Sequence, residues 1–384
     1  MSPINPPSLA SSKLFLPLQF GPCMLQHRMA MCPLTRFRAD DDHVQLPFVK
    51  EYYAQRAAVP GTLIITEATF ISPRAAGLPN VPGIWNDKQI KAWREIVDTV
   101  HEKGSYIYLQ LWALGRAASS QVLKNEFGQD LVSASDVPMG PDAEIPRELS
   151  ESEIYQFIQE YATAAKNAVH LAGFDGVEIH GANGYLVDQF TQDTSNKRND
   201  DWGGSIKNRS RFALEVTKAV VDAVGSDRVG IRLSPFSPCQ GMKMADPVPQ
   251  FSYLVEKLKE HSLGFLHLVE SRISGNVDIE ATEKLDFAVK IWGRTSPIVL
   301  AGGFKPDSAK MAVDEEHKDY DIIIGFGRYF IANPDLPFRI QKGILLTPYD
   351  RTTFYTAKQP EGYLDYPFSK QYLESQGAER ELHL

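Results

Sequence analysis

The sequence predicts an α/β protein, a single (β/α)8 TIM barrel with loop insertions after its third and fifth strands. Three observations carry the prediction. Eight short β-rich runs follow one another along 384 residues. Helix-like stretches separate many of them, and the length suits one barrel of this class. Several runs are almost continuous in Val, Ile and Leu, as strands covered on both faces should be.

The runs come in a fixed order. HRMAMCPL (27–34) and TLIITEATF (62–70) are the first two. DKQIKAWREIVDTVHEKG (87–104) then spaces its apolar residues as a helix does and closes on glycine. YIYLQLW (106–112) is the third run, and residues 113–149, rich in Ser, Pro and Asp, form a long loop. SESEIYQFIQEYATAAKNAVHLAG (150–173) opens with Ser150 and has Glu153 three residues on, a capping box. GVEIHGA (176–182) is run four. The helix-like SIKNRSRFALEVTKAVVDAVG (205–225) leads to VGIRLSP (229–235), which a second loop, 236–247, follows. FLHLVES (265–271), PIVLAGG (297–303) and IIIGFGR (322–328) complete the eight. The core spans about 14–345. The aromatic, proline-rich tail 346–384 is expected to wrap the barrel and to add Tyr363 to its mouth. The chain shows no repeat and no linker, so residues 1–384 read as one domain.

Composition narrows the function. A net charge of −8 argues against a nucleic-acid binder and against an anionic membrane surface. Cys23, Cys32 and Cys239 form a sparse, odd set without CxxC, as expected of free thiols in a reducing compartment. The N-terminus lacks a basic start followed by an apolar core, and no apolar run approaches membrane-spanning length. A cytoplasmic enzyme acting on small molecules is the expectation.

Side chains in a barrel strand alternate between the helix layer and the interior. In run three, Ile107, Leu109 and Leu111 suit the helix layer, which turns Gln110 and Trp112 inward. In run four, Val177 and Ile179 send Glu178 and His180 inward, and in run five Val229, Ile231 and Leu233 do the same for Arg232. An unpaired arginine inside a barrel costs several kcal/mol. Either an ion pair with Glu178 or an anionic ligand should meet it. His180 and Asn183 each suit a loop-capping role when taken singly. Gathered at one barrel mouth, they favour a site. Runs seven and eight end in glycine turns, AGGF (301–304) and GFGR (325–328), at the usual phosphate position of such barrels. No GxGxxG follows a strand, and no P-loop, HExxH or zinc-spaced set is present, so neither a Rossmann domain nor a metal centre is expected.

Ordered motifs over nearly the whole chain resemble the old yellow enzyme family. They are PLTRFRA (33–39), EYYAQRA (51–57), IITEATFISP (64–73), QLWALGR (110–116), HGANGYLVDQF (180–190), WGGSIKNRSRF (202–212) and GFGRYFIANPDL (325–336). The resemblance implies non-covalent FMN over the barrel mouth and NADPH as co-substrate in ping-pong turnover. It implies that Pro33, Leu34, Thr35 and Ala68 line the flavin, with Thr35 bonding its O4. It further implies that Gln110 reads the pyrimidine edge, that Arg232 sits near N1, and that Gly302, Gly303, Gly327 and Arg328 cradle the phosphate. His180 and Asn183 would bind the oxygen of an enone, enal or nitro substrate beside Trp112, with Tyr185 protonating the α-carbon. Relatives are monomers or homodimers.

Departures refine the picture. Ala68 and Gly303 replace residues common in relatives, and Asn183 favours the fungal and yeast branch over the plant reductases. Cys32 lies three residues before the flavin-tuning position and reads as a buried strand thiol. SRISGNVDIE (271–280) lacks an aromatic gate. HGANGYLVDQF also resembles the ergot-alkaloid aldehyde reductases, in which the tyrosine separates reduction from isomerisation. A non-redox barrel enzyme acting on a phosphorylated substrate is the alternative that uses the same cradle.

Overall fold

Eight parallel strands close into a barrel in the computed structural model, which describes residues 9, 11–274, 277–278 and 283–382. The strands are β1 (Met29–Met31), β2 (Leu63–Phe70), β3 (Tyr106–Trp112), β4 (Gly176–Gly181), β5 (Val229–Leu233), β6 (Phe265–Val269), β7 (Ile298–Ala301) and β8 (Ile322–Phe326). Each pairs with its neighbours in chain order, and β8 returns to β1 through Ile324 opposite Met29. The expected runs all form strands, and all but β2 and β3 are shorter at their carboxyl ends. Those ends turn outward into the loops of the mouth; β1, for example, stops at Met31, before the Pro33 that cannot donate a ladder bond.

The helices form where apolar spacing and caps predict them. Residues Asp87–Glu102 form one helix, in which Asn86 Oδ1 accepts from the Gln89 N–H at 3.0 Å and Gln89 Oε1 accepts from the Asn86 N–H at 3.3 Å. The helix Glu151–Lys166 starts on the Ser150–Glu153 box, with Glu153 Oε2 accepting from the Ser150 N–H at 2.8 Å. It then widens into a π-turn over Asn167–Ala172, which periodicity did not anticipate, and stops at Gly173 in the left-handed region. Ile206–Val224 is the third expected helix. Among the described residues no helix is long and apolar enough to cross a membrane.

Two cores hold the barrel. The larger lies between strands and helices, where Ile107, Leu109, Leu111, Val177, Ile179, Val229 and Ile231 are fully buried. The second fills the amino-terminal end of the barrel. There an antiparallel hairpin, Leu18–Phe20 with Cys23–Leu25, sets Phe20 against Phe265 (centroids 4.7 Å) and Tyr108 (5.3 Å). The loop after β3 carries a short helix, Ser120–Phe127, and a two-residue strand pair. Arg116 ties it to the loop after β5 by donating to the Pro138 and Gln240 carbonyls at 3.1 and 3.0 Å.

The tail is fastened from below. Arg36 donates to the Phe354 and Gly362 carbonyls at 3.0 and 2.8 Å. Arg38 donates to those of Gln359, Phe354 and Thr353 at 2.9, 2.9 and 3.1 Å. Tyr363 is fully buried, stacked on Tyr52 with centroids 3.8 Å apart and flanked by both arginines at 5.0 Å. It is an anchor of the tail and does not reach the mouth, contrary to expectation.

Candidate active site

The carboxyl ends of the strands surround a cavity of about 690 Å3. Pro33, Leu34, Thr35, Ala68, Gln110, Trp112, His180, Asn183, Tyr185, Arg232, Gly302, Gly303, Gly327 and Arg328 all line it. Of the site residues read from the sequence, Tyr363 alone lies elsewhere. The tail instead contributes Tyr349, Phe354 and Tyr355. The segment 271–280, expected to lack an aromatic gate, lies partly outside the described residues.

Strand register explains why distant residues meet. Ala68 pairs with Gln110, Gln110 with Glu178, His180 with Arg232, and Arg232 with His267. A bulge in β2 between Ile65 and Ala68 puts Thr66 Oγ1 under the Gln110 N–H at 3.2 Å.

One wall carries hydrogen-bond donors. His180 is 4% exposed, and burial, with Arg232 and His267 nearby, holds its imidazole well below the usual histidine range, so the ring is neutral. Its Nδ1 accepts from the Ala182 N–H at 3.3 Å, which leaves the proton on Nε2, a donor. Asn183 takes φ 59°, a left-handed conformation that asparagine tolerates, and its backbone N–H bonds Ser234 Oγ at 2.8 Å. Its side-chain amide has no partner among the described residues. The next residue, Gly184, needs φ 81° and is gripped by Asp188 and Gln189 at 2.9 and 2.7 Å. That turn presents the Tyr185 ring edge-on to Trp112 and His180, both at 4.8 Å. Burial raises the Tyr185 phenol above its ordinary range, so it holds its proton at neutral pH.

The opposite side carries the glycine turns. Gly302 and Gly303 adopt φ 129° and 66°, left-handed backbone that favours glycine, and both line the cavity. Arg328 and Lys305 add positive charge, and no carboxylate lines the cavity among the described residues.

Beneath the cavity lies an arrangement that the sequence reading did not foresee. Arg232 and Glu178 make no direct ion pair. His267, fully buried on β6, stands between them. Its Nδ1 is 2.6 Å from Glu178 Oε2, and its Nε2 accepts from Arg232 Nε at 3.3 Å. Gln110 Nε2 donates to the other Glu178 oxygen at 2.7 Å. The alternation in FLHLVES held the signal, since Leu266 and Leu268 face the helices and leave His267 inward.

The family model described as NADH:flavin oxidoreductase / NADH oxidase matches residues 13–347. A chanoclavine-I aldehyde reductase of Penicillium roqueforti is 60% identical over 361 residues, 94% of this chain and 98% of that protein. A protein of Epichloe festucae var. lolii described as a probable inactive reductase is 54% identical over 371 residues, 95% of this chain and 97% of its own. Among solved structures, an old yellow enzyme from Pichia sp. matches with a TM-score of 0.87 and 38% identity, over 94% of this chain and 95% of that one. With barrel, cavity and sequence in agreement, the chain belongs to the NADH:flavin oxidoreductase / NADH oxidase family and is an oxidoreductase of the old yellow enzyme type.

Proposed function

We propose that the protein is an FMN-dependent ene-reductase that uses NADPH to reduce α,β-unsaturated aldehydes, ketones or nitro compounds. The observation that carries this reading is the wall of two neutral donors, His180 Nε2 and the Asn183 amide, beside the protonated phenol of Tyr185. When bound, FMN supplies the two-electron carrier that links nicotinamide oxidation to alkene reduction.

The residues present fit that group. Gln110 Oε1 is buried without a partner among the described residues, as an acceptor waiting for an imide N–H would be. Arg232 offers a cation beside it, and the Gly302–Gly303 turn with Arg328 suits a phosphate.

The chemistry of the chain's own residues follows. Negative charge grows on the substrate oxygen as its β-carbon is reduced. Two fixed donors aimed at that oxygen stabilise the developing charge more than they stabilise the ground state. The neutrality of His180 matters here, because a neutral N–H donor gives up no proton to the oxygen at this stage. Tyr185 holds its proton for the α-carbon. Trp112, Phe37, Leu78 and Tyr355 supply apolar surface for the alkene skeleton and exclude water. The similarity to a chanoclavine-I aldehyde reductase favours an unsaturated aldehyde as the natural class.

The test is spectroscopic. Purified protein should be yellow, bleach anaerobically with NADPH and regain its colour with cyclohexenone. A yellow protein that does not bleach with NADPH or NADH would be a flavin binder without turnover, as the description of one relative as a probable inactive reductase would suggest. A colourless folded protein that takes up no FMN would favour the non-redox alternative.

A further inference from the structure

We propose that Glu178 and His267 are positioning residues that fix the cavity-facing atoms of Gln110 and Arg232, and so set both the affinity for the flavin and its redox potential. The inference rests on the FMN reading above and deepens it. Both residues are fully buried and neither lines the cavity, so they act only through their partners.

The chain of bonds dictates where each proton sits. An ionised carboxylate only accepts, so Glu178 must receive an N–H at each of its bonded oxygens. From Gln110 it receives Nε2–H at 2.7 Å. The amide sense of Gln110 is thereby fixed, and the oxygen, not the nitrogen, is left for the ligand. From His267 it receives Nδ1–H at 2.6 Å. Burial lowers the His267 imidazole below its ordinary range, so the ring carries one proton, and Nε2 is left as a lone pair. That lone pair meets Arg232 Nε–H at 3.3 Å.

Two consequences face the cavity. The Nε of Arg232 is directed to His267, which turns its two terminal amino groups, unpartnered among the described residues, to the ligand. The neutral ring also keeps the carboxylate one residue away from the guanidinium. A direct bidentate pair would draw the cation down onto Glu178 and away from the flavin edge that gains negative charge on reduction. His267 is thus a spacer that transmits orientation without neutralising the arginine at contact. An acceptor and a cation side by side on one rim match a pyrimidinedione edge with its N–H and its charge-accepting nitrogen.

The same logic gives opposite signs for two substitutions. Glu178→Gln removes the buried negative charge and places a donor where both partners donate. Gln110 then turns its amide over, and oxidised FMN binds about tenfold more weakly. Arg232, relieved of its counter-charge, favours the anionic reduced form about tenfold more strongly, a shift of about +30 mV for a two-electron couple. His267→Phe fills the space but removes the spacer. Arg232 then collapses towards Glu178, and the preference for the reduced form falls by a similar factor. His267→Gln retains one donor and one acceptor and should stay within about twofold of wild type.

The experiment titrates apoprotein with FMN by fluorescence quenching and measures midpoint potentials of the reconstituted proteins by anaerobic dye equilibration. Potentials displaced in opposite directions by Glu178→Gln and His267→Phe, with His267→Gln near wild type, are the expected result. Losses of affinity without opposed potential shifts would reduce the pair to core packing and overturn the proposal. If Glu178→Gln or His267→Phe does not take up FMN, His267→Gln decides: a potential displaced more than twofold in the reduced-to-oxidised ratio overturns it, and one near wild type upholds it. Wild-type apoprotein that leaves FMN fluorescence unquenched would refute the flavin reading itself, and this inference with it.

Discussion

His180 and Tyr185 stand in contact, yet burial drives their proton affinities in opposite senses, down for the imidazole and up for the phenol. Both are consequently neutral, which suits one for giving a hydrogen bond and the other for giving a proton. Tyr185→Phe should therefore leave flavin bleaching by NADPH nearly unchanged and slow enone reduction by about 10²–10⁴-fold, measured by stopped-flow of the two half-reactions. Equal losses in both would remove the acid role. His180→Ala combined with Asn183→Ala should abolish the long-wavelength band that phenols induce in the flavin spectrum. An unchanged phenol titration would place the oxygen-binding donors elsewhere. At this scale the sequence was informative wherever strand parity applied. Gln110, Trp112, His180 and Arg232 are turned inward by the alternation of β3, β4 and β5. His267 obeys the same rule, but alternation alone does not separate a functional histidine from a structural one inside a leucine-rich strand. Tyr363 failed for a different reason. Nothing in a run of tail aromatics says which ring points at the cavity, since that depends on where Arg36 and Arg38 grip the backbone.

Among the elements, caps and clamps are the features whose energies can be isolated. The Ser150–Glu153 box closes the helix Glu151–Lys166 on itself, and Ser150→Ala should cost about 1 kcal/mol of stability, read by urea melts. No change would mean that the helix start is held by its packing alone. Arg38 is wholly buried and donates to several tail carbonyls. Its removal takes the Arg38 donors from the Gln359 and Thr353 carbonyls, while the Phe354 carbonyl keeps Arg36, and Arg38→Ala should accelerate protease cleavage between about 350 and 365 well before global unfolding. Cleavage at wild-type rates would show that Arg36 and the stacked Tyr363 suffice. Phe37 sits between these two arginines at φ 57°, a conformation unusual for a bulky residue. The left-handed turn lets residues 36 and 38 point down into the tail while 37 points up into the cavity, packed against Tyr355 at 5.6 Å. Helix limits were readable from spacing, from the Ser150–Glu153 box and from closing glycines. The π-turn after Lys166 and the positive φ at Phe37 were not, because tertiary packing imposes them on residues whose local preferences lie elsewhere.

For the molecule as a whole, one contribution to acid lability comes from a buried histidine near the base of the barrel. His27 is 4% exposed, with Nε2 3.0 Å from Thr62 Oγ1 and Nδ1 accepting from the Met29 N–H at 3.3 Å. Burial pushes its imidazole from an ordinary 6.5 down to about 4. The folded state thus binds this proton less tightly than the unfolded chain. Its contribution is complete above about pH 6.5 and is lost as the pH falls towards 4, ~3 kcal/mol in all. His27→Asn should flatten the stability curve between pH 6.5 and 4.5. Parallel curves for variant and wild type would assign the acid limb to other groups. The barrel itself was legible from the count and order of the β-rich runs. Its register was not, and register is what sets Arg232 beside His267, with Glu178 one layer below them.

The hairpin that wedges Phe20 between Tyr108 and Phe265 stoppers the base of the barrel. The cavity lies at the other end, among the carboxyl ends of the strands. Under the proposed function, electron donor and acceptor would share that cavity and take turns in it, so an analogue lodged there should compete with both.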